Sequence, residues 1–479
     1  MIRFNKFPEL QLRGRRLVWD TRQSEGADAE IVYLNSSASL DVSTKLRGRL
    51  AAAEVVADDV VTRLGRDSSE AAGFPSRRLC VIGVTGTNGK TSGTHIMAYA
   101  LAALGKRVMQ IGTLGVQVWE KRPDHVGAHI VFSEETGFTT PQAPSLHDLF
   151  RQALEAGVTH VVMEVSSHAL ILGRVSGVEF DGGIFTNLSQ DHLDFHGTME
   201  AYGAAKRLLF SRELLISSKK RKVAVIGLPD QMSESFFANG IGELPGVTRR
   251  DLRIGEFFSV DAASLSGLEL SLGGHGKLQT TLIGVHNAWN LALSFAMLES
   301  LEGIALADFS RVMASYPGIP GRFERIGTHC FVDYAHTPDA LEKVLSTLRT
   351  TLRGDEKIVV VFGCGGDRDR GKRRQMGQIA GQWADVVWVT SDNPRTEDPQ
   401  SILDQIVVGV EAKDRLKLRI CVDRAEAIRR ALEESRPIDV LIVCGKGHES
   451  YQIIGTEKFP FSDQDCIKTY LKSSLDARG

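Results

Sequence analysis

From Leu79 onward the chain alternates short apolar runs with amphipathic stretches. "LCVIGVTG" leads into a helical pattern from Thr91 to about Leu104, then come "RVMQIG", a second helical pattern near Pro144 to Ala156, and "HVVMEVS". This alternation predicts βα units that build a mainly parallel sheet covered by helices on both faces. "GGIFTNL" and "KVAVIG" extend it. Past Gly255, "ASLSGLELSLGGHGKLQTTLIG" changes to a two-residue alternation with glycines at its turn, which reads as an antiparallel hairpin. A helix from about Asn287 to Ser300 follows, and the run Pro317-Gly318-Ile319-Pro320-Gly321 then breaks every pattern and reads as a linker. A second α/β series starts beyond it, with strands "CFVDYA", "KIVVVFG", "DVVWVTSD", "LRICV" and "VLIVCG". The first seventy-odd residues carry a weak pattern that ends in the polar stretch "GRDSSEAAG". The expected fold is α/β in three domains: a small N-terminal α/β domain at 1–78, a central P-loop ATPase-like domain with a mainly parallel sheet at 79–318, and a C-terminal Rossmann-like domain at 319–479.

A length of 479 residues exceeds what one hydrophobic core normally covers, in keeping with several domains. Lys and Arg number 57 against 59 Asp and Glu, a net charge of -2, so no global field favours nucleic acid or an anionic membrane. The basic run Lys219-Lys220-Arg221-Lys222 precedes the apolar strand "VAVIG" and reads as a solvated loop. The six cysteines form no C-x-x-C pair and most lie at the edges of apolar strands, as buried reduced thiols would. The N-terminus lacks an unbroken apolar h-region and no later stretch approaches a membrane span, so a cytoplasmic protein is expected.

The chemistry begins at "VIGVTGTNGKTSGT", Val81 to Thr94. The usual phosphate loop, G-x-x-x-x-G-K-[ST], would need glycine where this chain has Val84. The second half is intact in Gly86, Thr87, Asn88, Gly89, Lys90 and Thr91, followed by Ser92. A buried strand thus feeds a glycine-containing loop whose N–H groups and helix N-terminus face phosphates. Lys90 supplies a point charge and Thr91 a hydroxyl suited to magnesium.

"GTNGKT" resembles the ATP loop of the Mur ligases and their folylpolyglutamate synthetase relatives. "TTP" at Thr139, "MEVSSHAL" from Met163, "TNLSQDHLDFHG" from Thr186, "AYGAAKRLLF" from Ala201, "VDYAHTP" from Val332, "GCGGDRDRGKR" from Gly363, "DNPRTEDP" from Asp392 and "GKGHESYQ" from Gly445 extend the resemblance from Leu79 to the C-terminus. They are similar to the members that add the third residue of a muramoyl peptide. The resemblance implies that ATP phosphorylates the D-glutamate side-chain carboxylate of UDP-N-acetylmuramoyl-L-alanyl-D-glutamate and that an amine attacks the acyl phosphate, in peptidoglycan precursor synthesis. Two anions must then approach each other, so the site needs cations.

Residue by residue, the resemblance makes Glu164 and Thr91 magnesium ligands and His192 a ligand of a second magnesium. It makes Lys206 a lysine carbamylated by carbon dioxide, an anionic oxygen ligand near that second metal. Spacing alone leaves Lys206 readable as a surface lysine and "DHLDFH" as a two-metal hydrolase motif. Thr139, Thr140, Ser166 and Arg174 match positions that hold the muramoyl dipeptide; Asn287, Asn290, Arg322 and Asp333 match nucleotide-contacting positions. Arg368, Asp392, Asn393, Pro394, Arg395, Gly445 and Glu449 match the positions around the incoming amino acid. The Arg395 guanidinium can take the second carboxylate of meso-diaminopimelate bidentately, where L-lysine would present a repelled ammonium. Without that context "DNPR" is an Asn-Pro turn.

In the leading domain relatives carry Asp-Ser-Arg and a longer glycine-containing segment for the uridine part. This chain has Asp20, Thr21 and Arg22 and then a shortened stretch. Thr21 can still donate a hydroxyl hydrogen bond. A related ligase with another acceptor, or a non-catalytic binding protein on the ligase fold, stands beside the main expectation. That expectation is an ATP-dependent, ADP-forming ligase, monomeric, with Mg2+ and a lysine carbamate.

Overall fold

The computed structural model describes residues 2–6, 8–12, 15–18, 30–33, 54–56, 59–123, 126–352 and 354–476. The chain divides into two compact units, Met1–Asp261 with Glu269–Thr280 and His286–Tyr316, and Ala262–Leu268 with Thr281–Val285 and Pro317–Gly479. The division at Tyr316/Pro317 falls where the Pro-Gly run breaks the pattern.

The first unit is built on an eight-stranded sheet in the order Thr248–Arg253, Val223–Leu228, Gly182–Phe185, Cys80–Thr85, His160–Glu164, Val108–Gly112, Gly115–Lys121 and Ala128–Glu134. The first six strands are parallel and the last two antiparallel. Strands such as Cys80–Thr85 and His160–Glu164 are apolar without alternation because both faces are covered; Val81, Ile82, Val161 and Val162 are fully buried. Helix Lys90–Ala103 is buried at every position after Lys90, so it lies inside the unit rather than on its surface. Ile2 belongs to the core that Met109, Leu149, Met163 and Phe185 form, with Phe4 packed against it. Ahead of this sheet, short strands Gln11–Leu12, Arg15–Val18, Glu30–Tyr33 and Glu54–Val56 form a four-stranded sheet.

The second unit carries a six-stranded sheet in the order Glu324–Ile326, Cys330–Asp333, Val440–Cys444, Ile358–Phe362, Val386–Val389 and Leu418–Ile420. Only the first pairing is antiparallel. The five strands read from the sequence are all present, but chain order does not reveal that Val440–Cys444 inserts between Cys330–Asp333 and Ile358–Phe362.

Two expectations change. The basic run is not simply solvated: Lys219 pairs with Asp181 at 2.9 Å, and Lys222 Nζ donates to the carbonyls of Leu215 and Ser217. All six cysteines are free, yet Cys80, Cys421 and Cys466 are only partly buried.

Candidate active site

Ligand sites in open parallel sheets form at the C-terminal ends of neighbouring strands, and the sequence motifs of the first unit meet there. Val84 still lies in the strand, paired with Glu164 on one side and Ile184 on the other. The turn away from the sheet begins only at Gly86, so an early glycine is not required. Gly86 and Gly89 are both at positive φ, 145° and 85°. A Cβ at Gly86 would strike Thr186 Oγ1, and one at Gly89 would strike Asn290 Oδ1.

The loop is pinned by the strand beside it. Thr87 N donates to Asn187 O at 3.0 Å and Asn88 N to Asn187 Oδ1 at 3.1 Å. Thr87 Oγ1 donates to Ser189 O, and Thr186 Oγ1 donates to Asn88 O. Helix Lys90–Ala103 then starts with no side-chain cap, which leaves its N-terminus to an anion. Trp289 Nε1 donates to Thr186 O at 2.9 Å and thereby fixes helix Val285–Glu302, on which Asn287 and Asn290 are buried and bonded to each other.

Two ammonium groups converge on one carbonyl oxygen. Lys90 Nζ donates to Gly86 O at 2.9 Å and Thr87 O at 2.8 Å, and Lys206 Nζ donates to the same Gly86 O at 2.7 Å. Lys206 is buried, lies 4.3 Å from the Tyr202 ring centre and pairs with no carboxylate among the described residues. Burial first, and the Lys90 charge second, hold its amine well below the usual lysine range. His192 stands nearby, its ring 6.0 Å from that of Tyr202 and 4.9 Å from that of His168. Its Nε2 is 3.4 Å from Asp191 Oδ2. Desolvation lowers its pKa against the opposing pull of Asp191.

Glu164 ends its strand at the loop. Thr91 Oγ1 donates to Glu164 Oε1 at 3.0 Å, Thr113 N to the same oxygen at 2.8 Å, and Thr113 Oγ1 to Oε2 at 3.3 Å. With bonds of about 2.1 Å, adjacent ligands of an octahedral magnesium lie about 3.0 Å apart, so the Thr91 and Glu164 oxygens fit such an ion. Among the expected dipeptide contacts, Thr139 is 3.4 Å from the Thr113 hydroxyl. Thr140 is fully buried, with its hydroxyl between Glu164 O and Ser166 N, so it orders the backbone. Ser166 caps helix Ser167–Ile171, and Arg174 donates to Thr140 O. Thr21 lies outside the described residues.

In the second unit Asp333 accepts from Phe323 N and Ala335 N, both at 2.7 Å. Burial raises its pKa while Arg322 opposes the shift, and the Arg322 guanidinium lies 4.7 Å from the Tyr334 ring centre. Asp392, Asn393 and Pro394 follow a central strand. Asn393 donates to Glu449 at 2.9 Å and accepts from Lys446 Nζ at 3.0 Å, and Lys446 pairs with Glu449 at 2.9 Å. Gly445, at φ 116°, donates to Asp333 O, and its bare α-carbon leaves room for Asp392. Arg395 sits at φ 51° and donates to Gly366 O, while Arg368 is exposed.

Two family models match the chain. The Mur ligase middle domain matches residues 84–298, and the Mur ligase, glutamate ligase domain matches residues 321–447. The chain belongs to the Mur ligase family. Among Mur ligases it is 41% identical over 433 residues to the UDP-N-acetylmuramoyl-L-alanyl-D-glutamate--2,6-diaminopimelate ligase of Synechococcus sp. (strain WH7803), covering 87% of this chain and 82% of the relative. The protein of that name from Prochlorococcus marinus (strain MIT 9313) is 39% identical over 473 residues, 95% of this chain and 89% of that one. A solved ligase of the same name superposes with a TM-score of 0.67 at 29% identity, covering 99% of this chain and 96% of the other. A Mycobacterium tuberculosis folylpolyglutamate synthase, with a TM-score of 0.62 at 19% identity over 80% of this chain and 92% of its own, shares the Mur ligase fold.

Several residues that shape the site escape sequence reading. Thr113, Asn187 and Ser189 follow the ends of strands next to Glu164 and the loop, and only the parallel register brings them there. Lys446 was available inside "GKGHE", as a lysine directly after a strand and three residues before Glu449.

Proposed function

We propose that this Mur ligase joins meso-diaminopimelate to the D-glutamate side-chain carboxylate of UDP-N-acetylmuramoyl-L-alanyl-D-glutamate, in cytoplasmic peptidoglycan precursor synthesis. The carrying observation is the convergence of Lys90 and Lys206 on Gly86 O beside an uncapped helix N-terminus. The Lys90 ammonium on the loop and a helix N-terminus without a side-chain cap suit a triphosphate that a carboxylate must approach. A carboxylate oxygen attacks the γ-phosphorus and ADP leaves. The amine nitrogen of the incoming amino acid then attacks the acyl carbon, phosphate leaves with the bonding pair, and the amine proton passes to solvent.

Thr91 and Glu164 would hold magnesium, which supplies charge neutralisation at the phosphates when bound. Lys206 suits carbamylation by carbon dioxide because its buried amine favours the neutral form, the form that reacts. As a carbamate it would join His192 at a second magnesium. Lys90 and the helix N-terminus orient the phosphates, while Asn287, Asn290, Arg322 and Asp333 serve the nucleotide. Thr139, Ser166 and Arg174 face the muramoyl dipeptide.

For the added amino acid, Arg395 takes the distal carboxylate and the Glu449 carboxylate the neighbouring ammonium. The relatives' names support diaminopimelate. L-lysine is the competing amine, favoured by the engagement of the Arg395 guanidinium with Gly366 O. Phosphate release with the UDP-dipeptide and ATP decides between them. Release and tripeptide product are expected with meso-diaminopimelate and not with L-lysine. Equal release with L-lysine would remove the role given to Arg395.

A further inference from the structure

The opposite end of the eight-stranded sheet carries a second group of side chains with ligand chemistry. Cys80 opens the strand that feeds the phosphate loop, and His160 opens the neighbouring strand as its register partner. Glu302 closes helix Val285–Glu302. Their Sγ, ring nitrogen and carboxylate oxygen all lie within 4.8 Å of one another. A strand of this length, about 17 Å, separates them from the loop, so the ATP chemistry does not use them.

The Thr159 hydroxyl can set the form of the imidazole. Thr159 Oγ1 lies 3.2 Å from Arg107 O, to which it can donate, and 2.8 Å from His160 Nδ1, towards which it then acts as acceptor. In that arrangement Nδ1 carries the proton of the neutral ring, and Nε2 is left as a lone pair. The His160 side chain is only 6% exposed, and its Nε2 faces Glu302 Oε1 at 3.3 Å. Two acceptors so close repel unless positive charge lies between them. A proton on Nε2 or a metal ion supplies that charge. Cys80 Sγ approaches the same Glu302 oxygen at 3.8 Å.

A metal ion satisfies all three groups together. With Zn–S, Zn–N and Zn–O bonds of about 2.0–2.3 Å, tetrahedral ligands sit about 3.4–3.6 Å apart. The observed separations of 3.3 Å and 3.8 Å lie on either side of that range. We propose that Cys80 Sγ, His160 Nε2 and Glu302 Oε1 form a binding site for a thiophilic divalent cation of the Zn2+ class, with water as fourth ligand. The Thr159 hydroxyl then serves as the outer partner that fixes the ring tautomer. Lys106 holds the other carboxylate oxygen, Oε2, at 3.2 Å, and Lys219 is balanced by Asp181. Burial, with Asp181 and Glu302 adding to it, keeps the Cys80 thiol protonated in the metal-free protein. On binding, the thiol proton goes to solvent and the sulfur pair forms the metal bond.

The three ligands close off the far ends of the elements that carry the phosphate loop, Glu164, and Asn287 with Asn290. The ion is thus a staple on the scaffold, remote from magnesium and ATP. Co2+, as a spectroscopic stand-in for Zn2+, is titrated into the full chain with Mg2+ in excess. One equivalent should give a thiolate-to-cobalt charge-transfer band that Zn2+ displaces. Cys80→Ser should abolish the band, and Glu302→Gln, at a partly exposed helix end, should weaken binding at least about tenfold, with thermal melts of both variants matching the parent. Absence of the band in the parent, or its persistence in Cys80→Ser, would overturn the assignment.

Discussion

Lys206 in the first unit and Arg424 in the second are equally buried, 1% and 2% exposed, and they respond to burial in opposite ways. Arg424 lies in a closed set: its guanidinium meets Asp463 through two bonds of 2.8 Å and also reaches Cys444 O. Desolvation alone would lower its pKa, but the Asp463 charge and hydrogen bonds together, with smaller help from Asp392, outweigh it and raise the Arg424 pKa. Lys206 has only a carbonyl and a ring face, so desolvation prevails and its pKa falls. A charge paired inside the protein holds the scaffold, whereas a buried amine without an internal counter-ion is pushed towards the neutral, reactive form.

The largest effect should come from breaking the closed pair. Asp463→Asn strands a buried guanidinium and is expected to lower unfolding stability by about 3–5 kcal/mol, read by urea denaturation. Lys206→Met, similar in volume, removes a polar group that is costly to bury and should leave stability equal or higher. A loss with Lys206→Met as large as that with Asp463→Asn would erase the distinction.

The contrast also explains what the sequence could disclose. The strand, loop and helix from Cys80 to Ala103 are legible because every determinant is local: an apolar run, glycines where φ must be positive, and a lysine at the helix start. Glu164 is legible for the same reason, as a charge ending "HVVME". The Arg424–Asp463 pair is not, since it spans 39 positions and depends on where the strand Val440–Cys444 inserts in the sheet. The hydroxyls and amides that pin the loop come from neighbouring strand ends, a relation that only register creates. The mixed α/β fold was readable from periodicity alone.

A third response to burial is to stay neutral, and it makes the first unit sensitive to acid. His147, fully buried in helix Ala143–Glu155, donates from Nε2 to Ser176 O, and desolvation lowers its pKa to about 4. The unfolded chain binds the proton near pH 6.5, so this contribution to stability is complete above that pH and is lost as pH falls towards 4. Between pH 7 and 5 the loss is about 2 kcal/mol from this group alone. His147→Gln keeps a donor for Ser176 O and should flatten that part of the stability profile. An unchanged slope in the variant would mean that His147 is not among the groups that set it.

The smallest effect tests whether the carboxylate of the open site is held as firmly as the closed pair. Glu164 takes two bonds from Thr113, a backbone N–H at 2.8 Å and a longer hydroxyl contact at 3.3 Å, besides that from Thr91. Thr113→Val preserves shape and the backbone donor and removes only the hydroxyl. The loss should be about 1 kcal/mol, a roughly fivefold fall in kcat/KM, with a higher Mg2+ concentration needed for half-maximal rate. The melting temperature should hardly move, because Glu164 keeps its other donors. A thousandfold fall would mean that Glu164 is positioned chiefly by that one hydroxyl, and that the open site is as tightly determined as Arg424 with Asp463.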